Sequence, residues 1–188
     1  MSKKMLAILG SPHKKGATGK MLQYAVDVAA KEGWQVDIVY LYEKNLAYCK
    51  GCNICLQTAK CVMQDDIVEL TRLMSACDMV VLASPVYWAN VPAVVKNLFD
   101  RFRGTAMAET KTFPKPRFSP NQRFFLLTAC NTPAPFSFLM GQSVGAKKAM
   151  KEFFKTGGMK YAGCCVWTGM NKQEIPSRIR RKIEKVFS

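Results

Sequence analysis

The sequence predicts an α/β three-layer sandwich: five short parallel strands in one sheet, with helices over both faces. Three observations point there. Short β-type runs alternate with longer stretches of helical periodicity. The run at residues 79–83 is almost wholly apolar, as a central parallel strand buried on both faces must be. The loops richest in Gly, Ser, Pro and Asn follow strands one, three and four, where parallel sheets collect their ligands. At 188 residues the chain suffices for one domain with a full core, taken as residues 1–188.

The elements follow in order. The first strand spans residues 5–9 and ends at Gly10. A helix is predicted over 18–31, where Met21, Leu22, Ala25, Val26, Val28 and Ala29 form an apolar stripe that Gly33 closes. The second strand spans 36–41. A cysteine-rich loop follows, and then Asp65 and Asp66 open a helix through residue 74, at the positive end of its dipole. The third strand, 79–83, leads into Ser84-Pro85 and a helix over 92–102. Residues 104–122 are polar, basic and Pro-containing, an excursion from the pattern. The fourth strand at 124–129, a helix at 143–155, a fifth strand at 161–167 and a basic helix from 176 complete the chain. There is no internal repeat.

Composition narrows the function classes. Apolar residues make up 49%, but no run is long enough for a membrane span. The opening MSKKMLAILGSP is basic and then apolar, like the start of a signal peptide. Its apolar part is short and runs into a Gly-Ser-Pro turn, so a first strand and a cytoplasmic protein are expected. Eight cysteines there favour thiols, a metal or a cluster over structural disulfides. The formal charge of +15 suits a solvated surface, or attraction of phosphate-bearing ligands and acidic redox partners. Nucleic acid is not expected, because no binding motif accompanies the charge. His13 is the sole histidine, which argues against a His-based dyad or a multi-His metal site.

Three loops carry chemistry. Gly10-Ser-Pro-His-Lys-Lys-Gly-Ala-Thr18 feeds a helix N-terminus, whose free N–H groups suit phosphate. Ser11 and Thr18 add hydroxyls, and Gly16 permits close backbone approach. The loop matches neither Gly-x4-Gly-Lys-Ser/Thr nor Gly-x-Gly-x-x-Gly. An ordinary strand-to-helix turn with solvated lysines is the alternative. Ser84-Pro-Val-Tyr-Trp-Ala-Asn90 follows the most apolar strand, and Tyr87 and Trp88 offer flat surfaces to a ring. The third loop, residues 128–136 with Asn131, is placed to close the same pocket.

The cysteine run is the other signal. Cys49, Cys52, Cys55 and Cys61 have the spacing Cys-x2-Cys-x2-Cys-x5-Cys, and thiols at such short intervals can converge on one centre. An iron–sulfur cluster, free thiols, zinc and a disulfide all remain open. Cys77, Cys130, Cys164 and Cys165 are expected in the core as small apolar residues.

GSPHKKGATGKML, the cysteine run followed by VMQDDI, and ASPVYWANVPAVVKNLFDR together resemble the NAD(P)H-dependent FMN reductase group of the flavodoxin-like fold. The cysteine spacing resembles its iron-sulfur flavoprotein branch. The likeness covers residues 4–103 well. It implies strand order 2-1-3-4-5, FMN at the strand ends, NAD(P)H as co-substrate, and homodimers or homotetramers. Ser11, Lys14, Gly16, Ala17 and Thr18 would hold the phosphate, with His13 where the family usually has Arg. Pro85, Val86, Tyr87, Trp88 and Asn90 would line the ring, with Ala89 where Gly is common. Cys49, Cys52, Cys55 and Cys61 would bind a [4Fe–4S] cluster, although their last gap is five residues rather than three. The implied activity passes electrons from NAD(P)H or a ferredoxin through FMN to a quinone, flavin or other acceptor. The flavin carries that chemistry, so no catalytic side chain is named. The rival is a non-enzymatic electron carrier or redox sensor.

Overall fold

The structure is a computed structural model and describes residues 2–169 and 173–188. The chain runs β1 (Lys4–Leu9), α1 (Ala17–Lys31), β2 (Gln35–Tyr40), α2 (Ile54–Thr58), α3 (Ile67–Ala76) and β3 (Met79–Pro85). It continues through α4 (Ala93–Arg101), α5 (Arg103–Ala106), β4 (Met107–Ala108), β5 (Lys115–Pro116) and β6 (Arg123–Cys130). It ends with α6 (Phe136–Leu139), α7 (Gln142–Thr156), β7 (Lys160–Thr168) and α8 (Ser177–Phe187).

The large sheet has the order β2-β1-β3-β6-β7, and every pairing in it is parallel. Counting only its own strands, this is the predicted 2-1-3-4-5, the flavodoxin-like α/β fold. The chain leaves β1 outward to β2 and returns to β3 on β1's other side. That reversal opens a crevice beyond the carboxyl ends of β1 and β3.

Side-chain alternation builds two cores. Leu6 and Ile8 of β1, Val80 and Leu82 of β3, and Phe124 and Leu126 of β6 face α3, α4 and α7. Met5, Ala7, Leu9, Val81, Phe125 and Leu127 face α1 and α8. Each strand of this central trio is buried on both faces, which is why it reads as a continuous apolar run. In α8, Ile179, Ile183 and Phe187 recur every four residues and are buried, so its basic residues stay on the other side. Phe154 of α7 stacks on Phe124 at 4.9 Å. Among the described residues no helix is long and apolar enough to cross a membrane.

The structure departs from the sequence reading in four places. Leu41 leaves the second strand for a 3-10 turn, Leu41–Glu43. The third helix starts at Ile67, because both aspartates hold other backbone: Asp66 Oδ2 accepts from Asn45 N at 2.7 Å, and Asp65 accepts from Ala47 N and Ile67 N, each at 3.1 Å. The 104–122 excursion contains most of α5 and the antiparallel ribbon β4–β5. Short helices α2 and α6 were not anticipated, since four or five residues carry no periodic signal.

Candidate functional site

The loop after β1 is shaped by its neighbours. Gly10 N donates to Ala83 O of β3 at 2.8 Å, which ties the two strand ends together. The chain then turns, with Ser11 Oγ accepting from His13 N at 3.2 Å and Gly16 N donating to His13 O at 3.0 Å. No side chain caps α1, so the N–H groups of its first turn keep their capacity for an anion. Thr18 is 3% exposed and Ser11 is also buried beside that turn. The tight contact here belongs to Gly19: a Cβ on it would lie 1.9 Å from Lys14 O, so the loop folds back on the helix only because that residue is glycine.

The loop after β3 is anchored by Val86 N, which donates to Ala129 O at 2.9 Å. It then makes a two-residue turn. Trp88 and Ala89 have φ of 50° and 59°, and Tyr87 and Asn90 exchange hydrogen bonds of 2.8 and 2.9 Å. Two successive left-handed residues between paired partners have the φ signature of a type I′ turn, which favours Gly or Asn and here contains neither at its centre. The turn lies on α7, where a Cβ on Gly145 would meet Ala89 O at 2.0 Å. Tyr87 is half-exposed, and Trp88 is fully exposed at 100%.

These loops enclose a cavity of about 480 Å³ at the carboxyl ends of β1, β3 and β6. Of the predicted residues, Ser11, His13, Gly16, Ala17, Thr18, Pro85, Val86, Tyr87, Trp88 and Asn131 line it. Lys14 and Asn90 do not. Lys14 Nζ lies 2.6 Å from Glu43 Oε1 and 3.8 Å from the Tyr40 ring centroid, on the side of β2. The Asn90 side chain accepts from Val91 N at 2.8 Å and so braces the turn from outside. Ala89, Ala129, Cys130 and Thr132 also line it, from loops the sequence singled out without assigning these residues to the site, and Gln142 was missed outright. Cys130 is buried as expected, yet its thiol donates to Gln142 Oε1 at 3.6 Å on the cavity wall. Gln142 opens α7, and no local pattern marks it.

Cys49, Cys52, Cys55 and Cys61 line a second, small depression together with Asp100, Arg101 and Arg103. Its floor is α4. Asn97 Nδ2 donates to Leu46 O and Ala47 O at 3.2 and 3.3 Å, and Asn97 Oδ1 accepts from Cys49 N at 3.3 Å. Its far wall is α2 on α5. A Cβ on Gly104 would lie 2.2 Å from Cys55 O, and Arg117 Nη2 donates to Leu56 O at 2.9 Å. The cysteine loop and the 104–122 excursion therefore order one another.

Arg101 is 1% exposed and fork-bonded to Asp65 at 2.7 and 2.8 Å. Burial works to raise the Asp65 pKa, but hydrogen bonds from Arg101, Ile67 N and Ala47 N outweigh it and hold the carboxyl below its usual range. The Arg101 pKa is raised by the Asp65 hydrogen bond, opposed by burial, with neighbouring Cys61 adding to the rise. Among the described residues, no three Cys, His, Asp or Glu side chains are arranged to hold one metal ion. An all-thiolate donor set on the rim of one depression fits the chemistry of an iron–sulfur cluster. The other four cysteines are buried. Burial pushes the Cys77 and Cys164 thiols up to about 12 and Cys165 to about 11.

The chain is 45% identical over 98 residues to an iron-sulfur flavoprotein of Archaeoglobus fulgidus, covering 52% of this chain and 44% of that one. It is 30% identical over 183 residues to an iron-sulfur flavoprotein of Clostridioides difficile, covering 95% of this chain and 74% of that one. The chain spans about half the length of the archaeal relatives it matches. Its fold superposes on the NAD(P)H:quinone oxidoreductase from Methanothermobacter marburgensis with a TM-score of 0.75 at 14% identity, covering 100% of this chain and 96% of that one. The sequence profile of the NADPH-dependent FMN reductases matches residues 3–162, and the chain belongs to that family.

Proposed function

We propose that residues 1–188 form one FMN-binding unit that passes electrons from NAD(P)H or a ferredoxin to a quinone, a flavin or another small acceptor. The observation that carries this reading is the strand-end cavity, where the uncapped start of α1 and an aromatic turn face one space of ligand size. FMN, when bound, accepts a hydride and returns electrons one or two at a time. The chain's own part is binding and orientation. The first turn of α1, with Ser11 and Thr18, anchors phosphate. Pro85, Val86, Tyr87 and Trp88 form the ring platform, and Asn131 closes it from the β6 side. No side chain is needed as nucleophile or base.

In the same reading Cys49, Cys52, Cys55 and Cys61 hold one [4Fe–4S] cluster that relays single electrons. Its support is the shared depression, the thiolate donor set and the names of the relatives. The reading also includes a reducing, cytoplasmic setting and assembly at least to a dimer. Protein purified without oxygen should carry FMN in a stoichiometric amount and about four irons per chain. It should also consume NAD(P)H with a quinone. A colourless chain that takes up no FMN in titration would overturn the proposal. A second reading, an electron carrier or redox sensor, is favoured by the exposure of Cys49 and Cys52. Reduction by a protein donor but never by NAD(P)H would establish it instead.

A further inference from the structure

Arg101 is the one charged side chain in the buried set among the described residues. Two of its nitrogens are satisfied: Nη1 donates to Ala47 O at 2.6 Å and Asp65 Oδ2 at 2.7 Å, and Nη2 to Asp65 Oδ1 at 2.8 Å. Its Nε is buried and has no acceptor. A buried donor left without an acceptor is costly, and more so on a charged group. Asp65 is already used by the fork, so this N–H is not required for that pair. Arg101 lies in the wall of the depression lined by the four cysteines, next to Cys61. The other arginine there differs: Arg103 is partly exposed and bound to Glu109 and Asn53.

We propose that Arg101 Nε–H donates to a sulfur of the iron–sulfur centre, at or beside Cys61, and sets the reduction potential of that centre. The inference rests on the cluster reading above. A four-thiolate centre is anionic and becomes more so when it takes one electron. A fixed cation with an N–H on a sulfur stabilises the reduced form more than the oxidised form, which raises the potential. The guanidinium keeps its proton throughout, so one electron enters and no proton moves at Arg101. Arginine is suited to this position because its planar fork can hold Asp65 with one edge and present Nε–H with the other. Lysine is a point charge without that geometry.

The experiment is a redox titration of the anaerobic, FMN-loaded full chain, followed by EPR, for wild type, Arg101→Lys and the double variant D65N/R101Q. The double variant removes both buried charges together, which limits the folding cost. Both variants should retain FMN and iron. The cluster midpoint should fall by at least a tenfold change in the one-electron equilibrium, which is 59 mV, while the flavin midpoint stays in place. Variants that keep iron at the wild-type cluster potential overturn the inference, as does a variant that keeps FMN but binds no iron. Pulsed EPR of wild type grown on ¹⁵N-arginine should show a nitrogen weakly coupled to the reduced cluster. That coupling should survive Arg103→Gln, and its absence overturns the inference even if no variant folds. Wild type without iron after reconstitution instead refutes the cluster reading, and the inference falls with it.

Discussion

Ala89 occupies a backbone conformation that costs a non-glycine residue about 1–2 kcal/mol. Ala89→Gly should therefore stabilise the chain by up to about 1 kcal/mol after the entropy lost with glycine is subtracted, and urea unfolding would measure it. Thr18 sits buried at the start of α1, and Thr18→Val removes a hydroxyl beside the proposed phosphate position. Binding titrations should show a larger loss for FMN than for riboflavin; equal losses would contradict the loop assignment. Asp65 faces Arg101 with its carboxyl held below the ordinary 3.8. A depressed carboxyl contributes stability in full above its unfolded value and loses it as pH falls through the folded value. Asp65→Asn should thus cost about 3–5 kcal/mol at neutral pH by leaving a buried cation unpaired. The gap to wild type should narrow as pH drops below 3.8, read from denaturant unfolding across pH.

Between elements, the cysteine loop is the instructive case. It has one short helix of its own, α2, and is otherwise held by side chains from α4 and by α5 with its ribbon. Arg117 reaches Cys55 O and Leu56 O from 62 and 61 residues away in sequence. The buried thiols Cys77, Cys164 and Cys165 live in a different environment. With Cys77 and Cys164 raised to about 12 and Cys165 to about 11, they stay protonated at pH 8. Iodoacetamide at pH 8 on folded, iron-free protein should label Cys49, Cys52, Cys55 and Cys61 well before Cys77, Cys164 and Cys165. Peptide mass spectrometry would show the order, and fast labelling of Cys164 and Cys165 in β7 would contradict the burial.

For the whole molecule, the pattern of large exposed apolar residues bears on assembly. Trp88, Phe136, Phe138, Leu139 and Met140 are exposed on the β3 turn and at α6, which leads into α7 and Gln142 at the cavity. Soluble monomers seldom leave such a group uncovered. Light scattering of the FMN-loaded chain at micromolar concentration should give at least a dimer. A monomer that retains FMN would count against the assembly reading.

The parallel sheet and the FMN-reductase resemblance were legible in the chain because they rest on local signals, and the strand order followed only from the resemblance. Apolar runs, strand-end glycines and the SPVYW block declare themselves within a few residues. Ten of the twelve residues expected at one ligand site line the strand-end cavity for the same reason: a loop at a strand's carboxyl end has little choice of direction. Lys14 and Asn90 escaped that logic because a long side chain can turn to Glu43, and an amide can serve its own turn. Gln142 on the cavity wall, the mutual packing of the cysteine loop and the excursion, and the place of Arg101 in the wall of the four-cysteine depression were decided by tertiary structure alone. Each depends on which elements the parallel crossovers bring side by side, and no short-range pattern in the sequence encodes that distance.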